Sequence, residues 1–299
     1  MDRHESFEIK AADSDKARGG KGKAMVNWRD SHDPGWKRWN SDSILLKKIG
    51  NQKQVYVEFY IAFSPEMYQT FVNGGLGTSK IFRIYGFTGD WSDPFNYFAG
   101  ATHPSLIWSV SGAMRYGIRN KLSLYGMNND PENYPDMPGG SHQGDHSLSY
   151  VSNLKGMGPG GKDAKLPDKQ NGGYIIPGSG AATMERVFGS PGSYTKMAFF
   201  VKLNSEKGVH DGVITQWVDD VQILHADTLN WVPVNKDATG WNVVGFGGND
   251  YFQGYPNSER HEEWYAIDDI KILTEVPDYL KADAEAKDAP KPPADLSVE

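Results

Sequence analysis

Hydrophobic and polar residues alternate most clearly in the stretch Ser193–His225. Positions 195–203 follow a period of two, which predicts a strand buried on one face. That face is predicted to comprise Thr195, Met197, Phe199, Val201 and Leu203. Residues 204–208 then predict a turn, and Asp219-Asp220 predicts a two-residue hairpin turn, since aspartate tolerates positive φ. Three successive antiparallel strands indicate an all-β sandwich or barrel.

A second stretch with the same period is Gln54–Ser64. One of its faces is predicted to be core and carries Val55, Val57, Phe59, Ile61 and Phe63. The opposite face carries aromatic residues and Glu58. Two interpretations of that face stay open: a half-exposed sheet that contacts a ligand, or a surface covered by a loop.

Weaker patterns divide the rest of the chain. They predict strands at Ala24–Trp28, Ser43–Lys48, Ser79–Gly86, Gly112–Tyr125 (as one strand or two), Tyr174–Ile176, Met184–Phe188, Gly240–Gly247 and Trp264–Leu273. The segment 126–191 is dense in Gly, Pro, Asn and Asp and is interpreted as a long loop insertion. The predicted organisation is an N-terminal arm at 1–20, one β domain at 21–276 and a polar tail at 277–299.

Composition narrows the range of partners. The 299 residues include 31 Lys and Arg against 38 Asp and Glu, a net charge of −7 that argues against a nucleic-acid partner. The absence of cysteine excludes disulfides and cysteine-ligated metals. No apolar run approaches the roughly 20 residues of a membrane span. The N-terminus lacks the apolar core of a secretory signal, which suggests a mature segment with a start methionine or release without a signal, as for a phage-encoded protein.

Three pieces of the sequence together resemble a known family. They are VYVEFYIAFS from residue 55, KMAFFVKLNSEKGVHDGVITQWVDDVQIL from residue 196, and GFGGND followed by EEWYAIDDIKIL towards the end. This combination is similar to the concanavalin-A-like jelly rolls of the polysaccharide lyase type, which include alginate and glucuronan lyases and related phage and marine microbial domains. The resemblance covers residues 20–275. It implies a concanavalin-like jelly-roll sandwich of two antiparallel sheets with long loops, whose concave sheet holds an extended glycan.

The same resemblance implies candidate catalytic residues. Such lyases act by β-elimination, in which Tyr, His or Lys takes the proton beside a uronate carboxyl and a cationic or amide side chain neutralises that carboxyl. The strand that would lie along the groove offers Lys80, Arg83 and Tyr85. Strand alternation places Arg83 and Tyr85 on one face and Lys80 on the other, unless a bulge intervenes. The lyases' glycine-flanked lysine and Tyr-x-Tyr motifs are absent, which leaves catalysis open.

Other side chains are candidates for substrate binding. Arg115 and Arg119 have the same parity and suit a carboxylate, although a salt-bridged surface explains them equally well. Tyr60 shares a face with Glu58, which is expected to pair with those arginines. Gln216 and Trp217 point to opposite faces, so that only one can face a groove. Trp217 would stack on a sugar there or belong to the core.

Two acidic or histidine-containing motifs are candidate metal ligands. Asp268 and Asp269 are expected on opposite faces of the last strand, and the resemblance implies a structural Ca²⁺ there. Hydrogen bonding to a neighbouring loop is the alternative interpretation. His142 and His146 have a spacing that suits a metal on a helix, but they occur in a Gly-rich loop, where one could also serve as a catalytic base.

Three functions remain in competition after the sequence analysis. The first is a lyase that cleaves an acidic, uronate-containing polysaccharide, and the second is a non-catalytic glycan-binding module. The third is a structural or decoration protein of a virion or extracellular filament, which would self-assemble or bind other virion or filament proteins. All three predict an extracellular or virion-associated location.

Overall fold

A computed structural model describes the chain at residues 6–9, 15–29, 43–72, 77–87, 89, 91, 102–113, 117–125, 147–153, 176–177, 192–229, 231–232, 234, 237, 240–248, 250–252 and 263–281. These residues form two antiparallel sheets stacked face to face. The predicted all-β jelly-roll sandwich is therefore confirmed.

The first sheet has eight strands. In spatial order they are β1 (Ser6–Ile9), β2 (Met25–Arg29), β15 (Glu263–Leu273), β4 (Gln54–Phe63), β10 (Thr195–Lys202), β11 (Gly212–Val218), β12 (Val221–Leu229) and β9 (Ile176–Pro177). The second sheet has seven strands. Its order is β3 (Ser43–Gln52), β13 (Trp241–Gly248), β5 (Gly77–Phe87), β6 (Thr102–Ala113), β7 (Gly117–Tyr125) and β8 (Ser147–Asn153), and β14 (Asp250–Phe252) pairs with β5.

One short helix, α1 (Pro65–Val72), follows β4. The Ser64 hydroxyl accepts a hydrogen bond of 3.0 Å from the backbone N–H of Met67, as expected of a helix N-cap. Proline at the first helical position is also favourable, because its missing N–H would have no partner there. Met67 is fully buried in the core. Within the described part of the chain, no helix has the length and apolar character needed to cross a membrane.

The core lies between the two sheets and is centred on Phe59. Its ring centroid lies 5.0 Å from that of Phe82, 5.2 Å from Phe246 and 6.1 Å from Trp108. The predicted inward residues of β4 and β10 all belong to this core, except for Thr195 and the partly buried Leu203. Because aromatic residues of both sheets pack against Phe59, the two sheets share one hydrophobic core.

The predicted hairpin is confirmed in detail. Strands β10, β11 and β12 are consecutive neighbours, and Met197 pairs with Val218 directly before the turn. Asp219 and Asp220 adopt φ values of 47° and 64°, as a two-residue primed turn requires. The Asp219 carboxylate accepts a hydrogen bond from the backbone N–H of Lys196, which fixes the turn to the start of the hairpin.

Four strands were missed by the sequence analysis, namely the short strands β1 and β14 and the longer strands β6 and β8. Strand β6 carries Pro104 and four residues of Ser or Gly, which resemble loop composition. Strand β8 lies inside the segment 126–191 that was interpreted as loop, and it contains three serines in seven residues. Both pair along their length with β7, so that tertiary pairing overrides their weak strand propensity. Met184–Phe188 lies outside the described residues.

The outer face of the eight-stranded sheet is covered by chain segments from both ends of the sequence. The Arg18 guanidinium lies 3.9 Å from the centre of the Tyr60 ring. Leu280, in a helical turn at 278–281, is 2% exposed and packs with Tyr56, Ala198 and Trp217. Of the two interpretations of the aromatic face of β4, a covering layer is the one observed. The limits 21–276 stay a prediction, although β1 and the turn at 278–281 lie beyond them and contact this sheet.

We expect Phe59→Ala to lower the free energy of unfolding by about 3–5 kcal/mol, because it removes the ring that both sheets share. Urea unfolding followed by tryptophan fluorescence measures this change. Leu45→Ala is the control, since Leu45 is 46% exposed and its loss should stay within about 0.5 kcal/mol. Similar losses for the two variants would contradict the central role of Phe59.

Candidate functional site

A β-bulge in β5 brings two cationic residues to the same face of the seven-stranded sheet. The pairing of β5 with β6 shifts register between Lys80 and Phe82. Ile81, Phe82 and Ile84 all belong to the core, so Arg83 points away from it. The bulge directs the Lys80 side chain to the outer face as well. Simple alternation would have placed Lys80 and Arg83 on opposite faces.

Two glycines of the neighbouring strand β13 make room for Arg83. A Cβ atom at Gly245 would lie 3.0 Å from Arg83 Cγ. A Cβ atom at Gly248 would lie 2.1 Å from Arg83 Nη2 and 3.0 Å from Lys80 Cβ. The Arg83 side chain therefore lies flat along β13 with its guanidinium beside Lys80, an arrangement that any larger residue at position 248 would disturb.

Tyr85 adjoins this cationic pair on the same face. It pairs with Val243 on one side and Ser105 on the other, and it is 2% exposed. Burial raises the pKa of the Tyr85 phenol to about 12, although the charge of Arg83 acts in the opposite direction. The phenol therefore keeps its proton at neutral pH and can donate a hydrogen bond.

Backbone register extends the face across β6 and β7. Ser109 pairs with both Lys80 and Lys121, and Ser111 pairs with both Thr78 and Arg119. Position 121 therefore lies in the same row of the sheet as Lys80, and position 119 lies in the same row as Thr78. We define the cationic face as Lys80, Arg83 and Tyr85 together with strand positions 119 and 121. Arg115, His142 and His146 lie outside the described residues.

The other predicted substrate-binding residues are not on this face. Tyr60 and Trp217 lie on the outer face of the eight-stranded sheet, and Trp217 packs edge-on against Tyr56 at 6.1 Å. Gln216 is fully buried and lies between Ile214 and Val218, whose side chains belong to the core. The structure therefore separates the predicted set into two outer faces and the interior, rather than gathering it around one groove.

Asp268 and Asp269 both bind Arg18. One Asp268 carboxylate oxygen accepts a 2.9 Å hydrogen bond from the Arg18 backbone N–H, and Asp269 accepts one of 2.7 Å from Arg18 Nε. The expectation of opposite faces was wrong, because a bulge lies here and Asp269 adopts φ 49°. The Arg18 guanidinium already occupies Asp269 and a backbone N–H occupies Asp268, so these two carboxylates are a poor donor set for Ca²⁺. Among the described residues, no three His, Asp or Glu side chains gather as metal ligands.

Glu58 is the most strongly bound acidic group on the covered face of the eight-stranded sheet. Its carboxylate, 1% exposed, accepts hydrogen bonds from Lys271 Nζ at 2.6 Å, Tyr56 Oη at 2.7 Å and Tyr279 Oη at 2.8 Å. Lys196 Nζ lies 3.6 Å away. Glu58 thus pairs with lysines of its own sheet, not with arginines as expected. Burial alone would raise the pKa of Glu58, but these hydrogen bonds outweigh burial and lower it to about 2.

The chain was also compared with known proteins. No family model and no curated protein matches the sequence. A mutant alginate lyase in complex with an alginate tetrasaccharide is similar in structure, with 10% identity and a TM-score of 0.47, covering 85% of this chain and 81% of that one. An alginate lyase from a Chlorella virus has 9% identity and a TM-score of 0.45, with 90% of each chain covered.

A third similar structure is the receptor binding domain of a botulinum neurotoxin of mosaic serotype C/D. It has 7% identity and a TM-score of 0.42, and the match covers 95% of this chain and 45% of that one. Alginate lyases are thus among the structures that this chain is similar to. These similarities concern the course of the backbone and assign no residue of this chain a role.

Glu58 should make stability depend on pH under acidic conditions. The pKa of Glu58 is about 2 in the folded state, against an ordinary glutamate pKa of about 4.5. Its contribution to the free energy of unfolding is therefore complete above pH 4.5 and is lost as the pH falls from there towards 2. We expect Glu58→Gln to lower the free energy of unfolding at pH 7 by about 1–3 kcal/mol and to flatten the acid limb. Urea unfolding at pH 7, 5 and 3 measures both effects.

The matched control for this experiment is Glu66→Gln, in the first turn of α1, where the side chain is exposed. This variant should follow the wild-type pH profile. A Glu58→Gln profile that runs parallel to wild type between pH 5 and 3 would show that Glu58 is not the group responsible.

We expect neither calcium nor EDTA to change the melting temperature, because the Arg18 guanidinium pairs with Asp269 and the Arg18 backbone N–H binds Asp268. Differential scanning calorimetry with each additive measures this, since a ligand of the folded state raises the melting temperature. A calcium-dependent rise that Asp269→Asn abolishes would instead establish the calcium site that the sequence analysis predicted.

Proposed function

We propose that the protein recognises an acidic polysaccharide along the cationic face of the seven-stranded sheet. The observation that carries this proposal is the side-by-side placement of Lys80 and Arg83, which depends on the bulge in β5 and on the glycines of β13. The net charge of the chain is −7, so a concentration of basic groups on one face is a local feature and not a consequence of composition.

A uronate polymer has the matching chemistry. It presents carboxylates at regular intervals, and lysine and arginine bind carboxylates through charge-assisted hydrogen bonds. Arg83 is 3% exposed, and a charge pair in such a sheltered position is stronger than one in water. Positions 119 and 121, both on β7 and two strands away from β5, place an arginine and a lysine in the rows of Thr78 and Lys80. A polymer chain laid across the strands would therefore meet successive cationic positions.

Lyase activity is a second candidate, which Tyr85 favours. In β-elimination, the proton beside the uronate carboxyl is removed, the bond to the glycosidic oxygen breaks, and a carbon–carbon double bond forms. Arg83 would neutralise the carboxyl, and Tyr85, which keeps its proton at neutral pH, would donate to the departing oxygen. Because that role leaves the base unassigned, binding is the better supported function. The extracellular or virion-associated location stays a prediction.

We expect Arg83→Met and Lys80→Gln each to weaken binding to alginate or glucuronan by about tenfold or more, since a hydrogen bond to a charged group contributes about 1.5–3 kcal/mol. Titration calorimetry with size-fractionated oligouronates measures the affinity. Lys202→Gln is the matched control, because Lys202 is an exposed lysine on the other sheet. Binding should also weaken with added salt.

A further variant tests whether binding depends on the position of the Arg83 guanidinium and not only on its charge. Gly248→Ala keeps every charged residue but forces the Arg83 guanidinium to move, and it should weaken binding as Arg83→Met does. Melting curves establish that each variant is folded. Equal affinity of wild type and all three variants, or no binding of any uronate polymer, would overturn the proposal. A rise in ultraviolet absorbance from unsaturated uronates would add lyase activity to it.

A further inference from the structure

A second concave site lies on the opposite side of the molecule, on the outer face of the eight-stranded sheet. It is a pocket of about 370 Å³ between strands β10–β12 and the chain segment 275–281. Small-molecule sites in proteins commonly range from about 300 to 1,000 Å³, so the pocket is large enough to hold a ligand. None of the residues of the cationic face contributes to it.

Aromatic and aliphatic groups form most of the pocket surface. The rings are those of Phe200 on β10 and Trp217 on β11, and Trp217 is only 6% exposed. Val276 and Leu280 of the C-terminal segment also line the pocket. A flat, apolar ligand surface could pack against these side chains and lose contact with water.

Polar groups lie beside this apolar surface. Thr215 Oγ1 and His225 Nδ1 are 2.9 Å apart, which fixes the orientation of the imidazole ring and leaves Nε2 for another partner. Gln222 also lines the pocket, and its amide makes no hydrogen bond within the described part of the chain. Gln54 is held by a 2.8 Å hydrogen bond to the Thr274 carbonyl. The pocket therefore offers both donors and acceptors along one side.

The charged residues at the pocket are paired with each other. Lys281 Nζ lies 3.0 Å from an Asp278 carboxylate oxygen and 3.9 Å from one of Glu275. Lys281 and Glu275 both line the pocket, so a positive and a negative charge compensate there. A charged ligand would have to disrupt these pairs, whereas a neutral ligand would not. This distinguishes the pocket from the cationic face.

We propose that this pocket binds a neutral sugar ring. A pyranose has an apolar face of C–H groups that packs on aromatic rings, and hydroxyl groups at its edge that both donate and accept hydrogen bonds. In the pocket, Trp217 and Phe200 meet the apolar face, while Gln222 and His225 bind hydroxyls. The site is independent of the proposed function, because it lies on the other sheet and requires no cationic residue.

The test uses the full chain and neutral tetrasaccharides of β-linked glucose and of β-linked mannose. Saturation-transfer NMR detects binding, and titration calorimetry gives the affinity. We expect Gln222→Ala and Trp217→Phe each to weaken binding by roughly three- to tenfold, as expected for the loss of one hydrogen bond or part of one stacking contact. Gln52→Ala, at a half-buried glutamine of the other sheet, is the matched control and should bind as wild type does.

The outcomes separate this site from the cationic face. Arg83→Met should leave the neutral sugar affinity unchanged, and an oligouronate should not displace the neutral sugar. The proposal is overturned if neither tetrasaccharide binds more tightly than about 10 mM, or if Gln222→Ala and Trp217→Phe both bind as wild type does. It is also overturned if hexanol binds and the sugars do not, which would identify the pocket as a site for apolar molecules.

Discussion

Packing of the two sheets against one aromatic core decides which side chains point outward. Phe59 contacts rings from both sheets, and every strand that contributes to this core must direct alternate residues inward. The remaining residues of each strand then belong to an outer face. A β-bulge is the one local device that changes this assignment without disturbing the core, because it adds a residue to one strand only.

Bulges separate the side-chain directions that could be predicted from the sequence from those that could not. The period-two patterns of β4 and β10 were sufficient to predict their core faces, and Asp219-Asp220 was sufficient to predict its turn. At Lys80 the sequence left a bulge open without deciding it, and at Asp269 nothing in the pattern indicated one, because the extra residue is recognised only against the partner strand. The position of Lys80 beside Arg83, and of both aspartates at Arg18, therefore required the structure. The same holds for Trp217, whose covering residue Leu280 lies 63 positions later in a segment that composition marks as a tail.

The two outer faces of the sandwich differ in how their charges are satisfied. On the eight-stranded sheet, the buried carboxylate of Glu58 is bound by Lys271 and Tyr279, and Lys196 lies 3.6 Å away. Together these contacts compensate the buried charge of Glu58, which makes this cluster a structural element. On the seven-stranded sheet, the side chains of Lys80 and Arg83 lie next to one another, an arrangement that favours an anionic ligand. This contrast is why we assign acidic glycan recognition to the second face.

The bond between Tyr279 and Glu58 also has a consequence for how the protein folds. The two residues are 221 positions apart in sequence. The two edges of β4 pair with β10 and β15. The central strand of the larger sheet therefore cannot complete its pairing on the ribosome until nearly the whole chain has been synthesised. Sheets dominated by such distant contacts fold slowly, because a long loop must close before any contact compensates for the lost entropy. Until those partners have been synthesised, the aromatic side chains of β4 are exposed to solvent.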